Sequence, residues 1–454
     1  MMKKVCLLLL CVGMLVSLIL AGCAKTTPTP TPTPSPTPTP TAGPKEIVWG
    51  TNGPLTGMYA GFGRGGVWGL KMAVEDINKQ GGILVKEYNK KLPVRLVVLD
   101  NESDPNKAGT LTENLILTEK VDFLISAPEL PPTIASIGTV AERYKTPYVL
   151  YAGPFEPNNA IREAAGKWKY VWESGFGLGA PAPAGDFRNK PGYTMLDDWV
   201  VFLNKFGSQT NKKAAIFAAD DSDGRGWYAT FPKALEQTGI QVFGADKELG
   251  MAPLATTDFT SIINQWKDAN CDILLGNAPA PWFGVMWRQI HALGYQPKVV
   301  IVERGGMFYS DVTAWGGDLP LGIVSLILWA PTIKAPGIGD TTPQSLADRW
   351  TKETKEQFDQ NIGAGYGQAQ ILMDAIQRAG TLDKEKVNAA LAQTDVMTIN
   401  HRAKFDETQF NRFPITEGQW FKTNKSYVWE MNVIVSLHDF YPTTAEPLFP
   451  IPYK

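Results

Sequence analysis

Along residues 47–302, short runs of apolar and β-branched residues alternate with longer stretches in which apolar residues recur every three to four positions. Residues 47–51, 94–99, 121–125 and 148–151 are runs of the first kind. After the first, Val67, Leu70, Val74 and Ile77 mark one face of a helix that stops at Gly81-Gly82. Pro105 opens a second helix, to about residue 119, and residues 133–144 form a third. Strands apolar on both faces, separated by amphipathic helices, predict a parallel sheet covered on both sides. A second set begins after Gly192: a helix over 194–206, a strand over 214–218, the turn 219–224 and a helix to about 238. Strands near 241–244, 271–275 and 299–302 continue it. Two consecutive α/β sets predict two similar lobes. A ligand would lie in the cleft between them, at the carboxyl ends of the strands.

The start of the chain constrains where such a protein works. Met1-Met2-Lys3-Lys4 precedes an apolar run over residues 5–20, which closes on Leu20-Ala21-Gly22-Cys23. A basic start, a short apolar region and small residues are the pattern of an export signal. A cysteine directly after Leu-Ala-Gly resembles the lipobox of bacterial lipoproteins. That resemblance implies removal of residues 1–22 and acylation of Cys23, with palmitate-like chains holding the protein at the extracytoplasmic face of the cell membrane. Residues 27–40 then alternate Thr-Pro, with one Ser-Pro. Proline at every second position removes amide donors and favours extended backbone, so residues 23–45 read as a linker, its Thr-Pro part a spacer of roughly 40 Å.

Composition excludes several functions. Lys and Arg total 43 against 45 Asp and Glu, giving a net charge of −2 without a basic patch, so no nucleic acid partner is expected. Of four cysteines, Cys6 and Cys11 leave with the signal and Cys23 is acylated. Cys271 then stands alone as a small apolar core residue, which rules out an internal disulfide or a thiolate cluster. The three histidines, His291, His401 and His438, fall in unrelated settings, so neither a histidine metal site nor a catalytic triad is expected. No nucleophile, base and orienting group converge, and the chain reads as a non-enzyme without a cofactor.

Two motifs need weighing. Gly61-x-Gly63-x-x-Gly66 has the spacing of a dinucleotide fingerprint, but no acid follows about 20 residues on at a strand end. It reads better as a flexible turn that offers amides at a helix start. Asp220, Asp221 and Asp223 before Gly224 suggest half a calcium loop, yet Pro232 stands where the closing bidentate acid belongs. No metal is expected there.

An ordered set of motifs resembles the leucine/isoleucine/valine-binding protein family of ABC importers. It includes residues 53–57 (GPLTG), 76–83 (DINKQGGI), 100–105 (DNESDP), 213–226 (KAAIFAADDSDGRG), 257–259, 293–295 and 366–380, which ends DAIQRAG. The resemblance implies two Rossmann-like lobes joined by a three-stranded hinge, a type I periplasmic binding protein. Lobe 1 would hold residues 46–169 and 331–396. Lobe 2 would hold 170–328 and 400–422, leaving 423–454 as a C-terminal extension. It also implies a monomer that captures a small organic ligand, an amino acid or related carboxylate or amide, and delivers it to ABC importer permease subunits. A sensor that signals to a membrane partner without transport is the alternative.

Site residues follow from the same resemblance. Glu303 falls where amino-acid-binding members carry the acid that receives the ligand's ammonium. Asp223 falls where members often carry a ligand-contacting aromatic. Members use hydroxyls after the third and fourth strands to hold a carboxylate. Here those loops offer only Thr133 in the first, and Gly153 with Phe155 in the second, where Phe155 replaces a threonine. Phe62, Phe155, Tyr228 and Trp282 would then build a larger aromatic-walled pocket.

Overall fold

The computed structural model describes residues 43–126 and 128–453. The signal, Cys23 and the Thr-Pro run therefore lie outside the described residues. Residues from Pro44 onward form one unit built on two sheets. The first sheet is parallel throughout, in the order Phe410–Arg412, Val171–Phe176, Tyr148–Pro154, Phe123–Ile125, Ile47–Gly53, Val94–Asp100. The second runs Met251–Ala252, Lys213–Ala219, Ile273–Ala278, Val299–Arg304, Val324–Ile327, Thr416–Lys422, Trp429–Val435, with Gln241–Val242 also paired to Lys213–Ala219. Its last two strands are antiparallel. Fold class and architecture are those expected from the alternating pattern.

Three boundaries differ from expectation. The strand Val171–Phe176 pairs with Tyr148–Pro154, so the chain first leaves lobe 1 after Phe176 rather than at residue 170. Val171 and Trp172 are buried, and Glu173 forms a buried ion pair with Arg162 at 3.0 Å, which ties the strand to the first sheet. Beyond it, Glu156 accepts the backbone N–H groups of Leu178, Gly179 and Ala180, fixing the crossing. Phe410–Arg412 likewise closes the edge of the first sheet, although it falls within residues 400–422. Finally, residues 423–454 are not an appendage. Trp429–Val435 is a strand of the second sheet, and Phe449 stacks on Phe206 at 4.4 Å.

The glycines near residue 61 are not a turn. They sit inside the helix Ala60–Lys79, which crosses the helix Asn361–Ala379. A Cβ on Gly69 would lie 2.1 Å from the carbonyl oxygen of Ile362, and one on Gly365 only 2.0 Å from that of Gly66. Gly66 and Gly69 are thus spent on backbone-to-backbone contact with the second helix, Gly63 lies against the Pro54 carbonyl, and Gly61 leaves room for the Phe308 and Asp311 side chains. Because the Ile362 carbonyl is not a flexible side chain, Gly69→Ala should lower stability by on the order of 3 kcal/mol. Gly207→Ala, where nothing lies within 4 Å, should change little. Urea unfolding midpoints check both, and a neutral Gly69→Ala would disprove the packing account.

Candidate functional site

The carboxyl ends of both sheets face one another across a cavity of about 30 Å³. Phe62, Glu129, Leu130, Tyr151, Gly153, Pro154 and Phe176 line it from lobe 1. Asp223, Trp227, Asn277, Arg304, Met307, Leu326 and Leu328 line it from lobe 2. The lobes touch: Phe62 meets Phe308 edge-on at 4.8 Å, and the Tyr59 hydroxyl lies 3.4 Å from Asp221 Oδ2. Such a space holds little more than a water or two, so a larger solute requires the lobes to part.

The polar centre is built by strand and helix ends. Asp221 caps the helix Ser222–Gln237, its Oδ1 accepting the N–H of Gly224 at 2.7 Å. Asp223 and Trp227 are one turn apart on that helix, so they share a face, and the indole donates to Asp223 Oδ1 at 3.0 Å. Arg304 ends the strand Val299–Arg304 with a left-handed backbone, φ 62°. A buried non-glycine residue in that region is strained and persists only where its surroundings fix it. Its Nη1 lies 2.8 Å from Asp221 Oδ2 and 3.4 Å from Asp223 Oδ2. Burial pushes the Asp223 carboxyl up to about 6, partly offset by Arg304.

On the lobe 1 side, Glu129 is fully buried, and the loss of solvent pushes its carboxyl up to about 8. It is therefore protonated at neutral pH. Its Oε2 lies 2.6 Å from Thr133 Oγ1 and its Oε1 accepts from Asn101 Nδ2 at 3.3 Å. Gly153 leaves open space, since a Cβ there would meet nothing within 4 Å.

Of the residues singled out from sequence, Phe62, Gly153 and Asp223 line the cavity. Thr133 stands behind Glu129. Phe155 turns to the edge of the first sheet, against Phe410 and under the Arg412 guanidinium at 4.3 Å. Trp282 is held in the lobe 2 core by a bond to the Pro253 carbonyl and by Phe217 and Phe259. The Tyr228 hydroxyl sits 3.5 Å from the Gly250 amide, because residue 228 lies one position off the Asp223–Trp227 face.

Glu303 lies beneath the cavity rather than on it. It accepts from Trp199 Nε1 at 3.1 Å and from the Leu326 amide at 3.0 Å. Arg304, one residue on, reaches the cleft instead. Trp227 was legible as the (i, i+4) neighbour of Asp223. Arg304, Tyr151 and Asn277 carried no local sequence signal, because strand ends and sheet order bring them together.

Two α/β lobes joined by three chain crossings and closed on a small buried cavity are the architecture of a solute-binding protein. The chain belongs to the periplasmic binding protein family, which it matches over residues 46–423. It is 23% identical over 380 residues to a leucine-, isoleucine-, valine-, threonine- and alanine-binding protein of Pseudomonas aeruginosa, covering 82% of this chain and 88% of that protein. Among solved structures, it resembles a leucine-binding protein of Thermotoga maritima (TM-score 0.66, 18% identity, 86% of this chain and 99% of that one). It also resembles an ABC-transporter solute-binding protein of Rhodopseudomonas palustris in complex with 3,4-dihydroxybenzoic acid (TM-score 0.64, 18% identity, 86% and 97%). Members of the family are extracytoplasmic binding proteins of the ABC-transporter type.

Glu303 shares its setting with Asp198 and Glu417, both fully buried and with carboxyl oxygens that lack hydrogen-bond partners. Burial raises all three, and Asp198 and Glu417 are raised further by the acids around them, Glu303 among these. Glu303 rises from 4.5 to about 7. Its neutral form is favoured on folding, so this contribution is fully present below pH 4.5 and lost as pH rises through 7. Glu303→Gln should therefore gain stability over the parent progressively across that window, by up to about 3 kcal/mol, with no further gain at higher pH. Melting temperatures from pH 4 to 8 test this; a constant difference would refute it.

Proposed function

We propose that this chain is a lipid-anchored solute-binding protein. It captures a small organic ligand, an amino acid or related carboxylate or amide, between its lobes and delivers it to the permease subunits of an ABC importer. The observation that carries the reading is a cavity lined from the strand ends of both lobes, with aromatic walls and a buried Arg304–Asp221–Asp223 centre. A solute touching both sides completes contacts that neither lobe makes alone, and so selects the closed arrangement. The P. aeruginosa relative's amino acids and the R. palustris protein's dihydroxybenzoate bracket the chemistry to be tried first. Anchoring rests on the lipobox-like Leu20-Ala21-Gly22-Cys23, with the Thr-Pro spacer separating membrane from lobes.

Small-angle scattering and melting curves, recorded against a panel of amino acids and benzoates, test capture. The true solute should lower the radius of gyration modestly and raise the melting temperature together. A solute that raises the melting temperature without changing the scattering binds one lobe only, and the cleft reading falls. Gly153→Leu, projecting into open space at the cavity wall, should weaken binding at least about tenfold while leaving the melting temperature of the free protein nearly unchanged.

Anchoring has its own test in fractionated cells. Cys23→Ala should move the protein to the soluble fraction without altering its melting temperature. Continued membrane retention after signal cleavage would rule out the lipid anchor.

A further inference from the structure

We propose that the edge of Arg304 formed by Nε and Nη2 binds a carboxylate of the solute, and that the site selects a small planar carboxylate lacking an α-ammonium group. This deepens the solute-binding reading and rests on it. Arg304 is 3% exposed, and its charge is matched through Nη1 alone, by Asp221 and Asp223. Nε and Nη2 have no hydrogen-bond partner among the described residues. In a planar guanidinium these two atoms present parallel N–H bonds at the spacing of two carboxylate oxygens. Leaving buried charged donors unpaired is costly, so a group that completes them is favoured.

The balance of free donors and acceptors fixes the chemistry. Asn277, on the strand paired with Val299–Arg304, is fully buried with its amide facing the Asp223 carboxylate. The Tyr151 hydroxyl, from the opposite lobe, is buried and unpartnered among the described residues. The carboxylates, by contrast, are engaged. Asp221 accepts from Gly224 and Arg304, and Asp223 from Trp227 with Arg304 alongside. Glu129 is held by Thr133 and Asn101. Free donors thus outnumber free acceptors, which suits an acceptor-rich anion and leaves no open carboxylate for an ammonium. Phe62, Phe176 and Trp227 form the apolar walls, which favour a flat ring or short planar chain.

A pH signature separates this role from a structural one. Asp223 faces Arg304, Asp221, Trp227 and Asn277, with Tyr59 nearby. A second anion on Arg304 raises the proton affinity of Asp223, so carboxylate binding takes up a proton. Affinity should be highest below about pH 6 and fall as pH rises above it. A zwitterionic amino acid pairing its ammonium with Asp223 would show the reverse trend.

Isothermal titration of the purified full chain would use benzoate, 4-hydroxybenzoate and the planar but-2-enoate. Each is compared with its amide and with phenylalanine or leucine. The carboxylates should bind about 10–100-fold more tightly than their amides and than the amino acids, with affinity falling from pH 6 to 8. Arg304→Lys, which keeps a cation beside Asp221 but loses the two-pronged edge, should weaken carboxylate binding about 10–100-fold. The amide comparison on unaltered protein stands even if that variant fails to fold. Tighter binding of an amino acid than of every carboxylate would overturn the Arg304 assignment and leave the solute-binding reading intact. If neither carboxylates nor amino acids change melting temperature or scattering, the solute-binding reading itself fails.

Discussion

The lobe 1 wall of the cavity depends on one crossing within that lobe, where glycine lets the helices Ala60–Lys79 and Asn361–Ala379 meet backbone to backbone. Two buried amides at the start of the second helix use that proximity. Asn361 Nδ2 donates to the carbonyl of Phe62 at 3.2 Å, at the lobe 1 wall of the cavity. Gln360 donates to the carbonyls of Met307 and Leu326 and accepts the amide of Leu328, all at the lobe 2 wall. Adjacent residues therefore hold both walls. A side chain at Gly69 or Gly365 would push the helices apart and carry the cavity with them.

Charge placement follows a consistent rule. Lobe 2 buries one cation at the cleft and neutralises it with two aspartates fixed by a helix start, where the backbone amides also favour negative charge. Beneath this lies a patch of acids with no cation beside them among the described residues, Asp198, Glu303 and Glu417, each raised by burial. Trp199 bonds to Glu303, Trp227 bonds to Asp223, and the two rings lie 5.7 Å apart. The tryptophans thus form the layer between the cavity and the buried acids. They keep the cavity wall apolar while satisfying one carboxyl on each side.

Particular elements show how far sequence carried. The helix over residues 194–206 is observed as Met195–Phe206 with Thr194 as its cap, and the strand over 214–218 as Lys213–Ala219. Both have strong local signals, a cap followed by an amphipathic period and a continuous apolar run. The strand Val171–Phe176 was assigned to the wrong lobe because nothing in VWESGF names its partner. Trp282 and Tyr228 looked like pocket aromatics, yet an aromatic on an α/β helix packs equally well beneath it.

The sequence by itself determined the α/β class, the pairing of strands with helices and the caps, because these depend on residues within a turn or two of one another. It also carried the Asp223–Trp227 pair, an (i, i+4) spacing on one helix, with Asp221 as that helix's cap. Only the tertiary structure decided that Arg304 rather than Glu303 reaches the cleft. That choice depends on a left-handed backbone at a strand end, held by an aspartate 83 residues away in sequence. It decided, too, that Gly66 and Gly69 serve helix packing, since the carbonyl oxygen Gly69 approaches belongs to Ile362 and the Gly66 carbonyl is met by Gly365. Contacts of that separation are set by sheet order and lobe closure, and no local pattern encodes them.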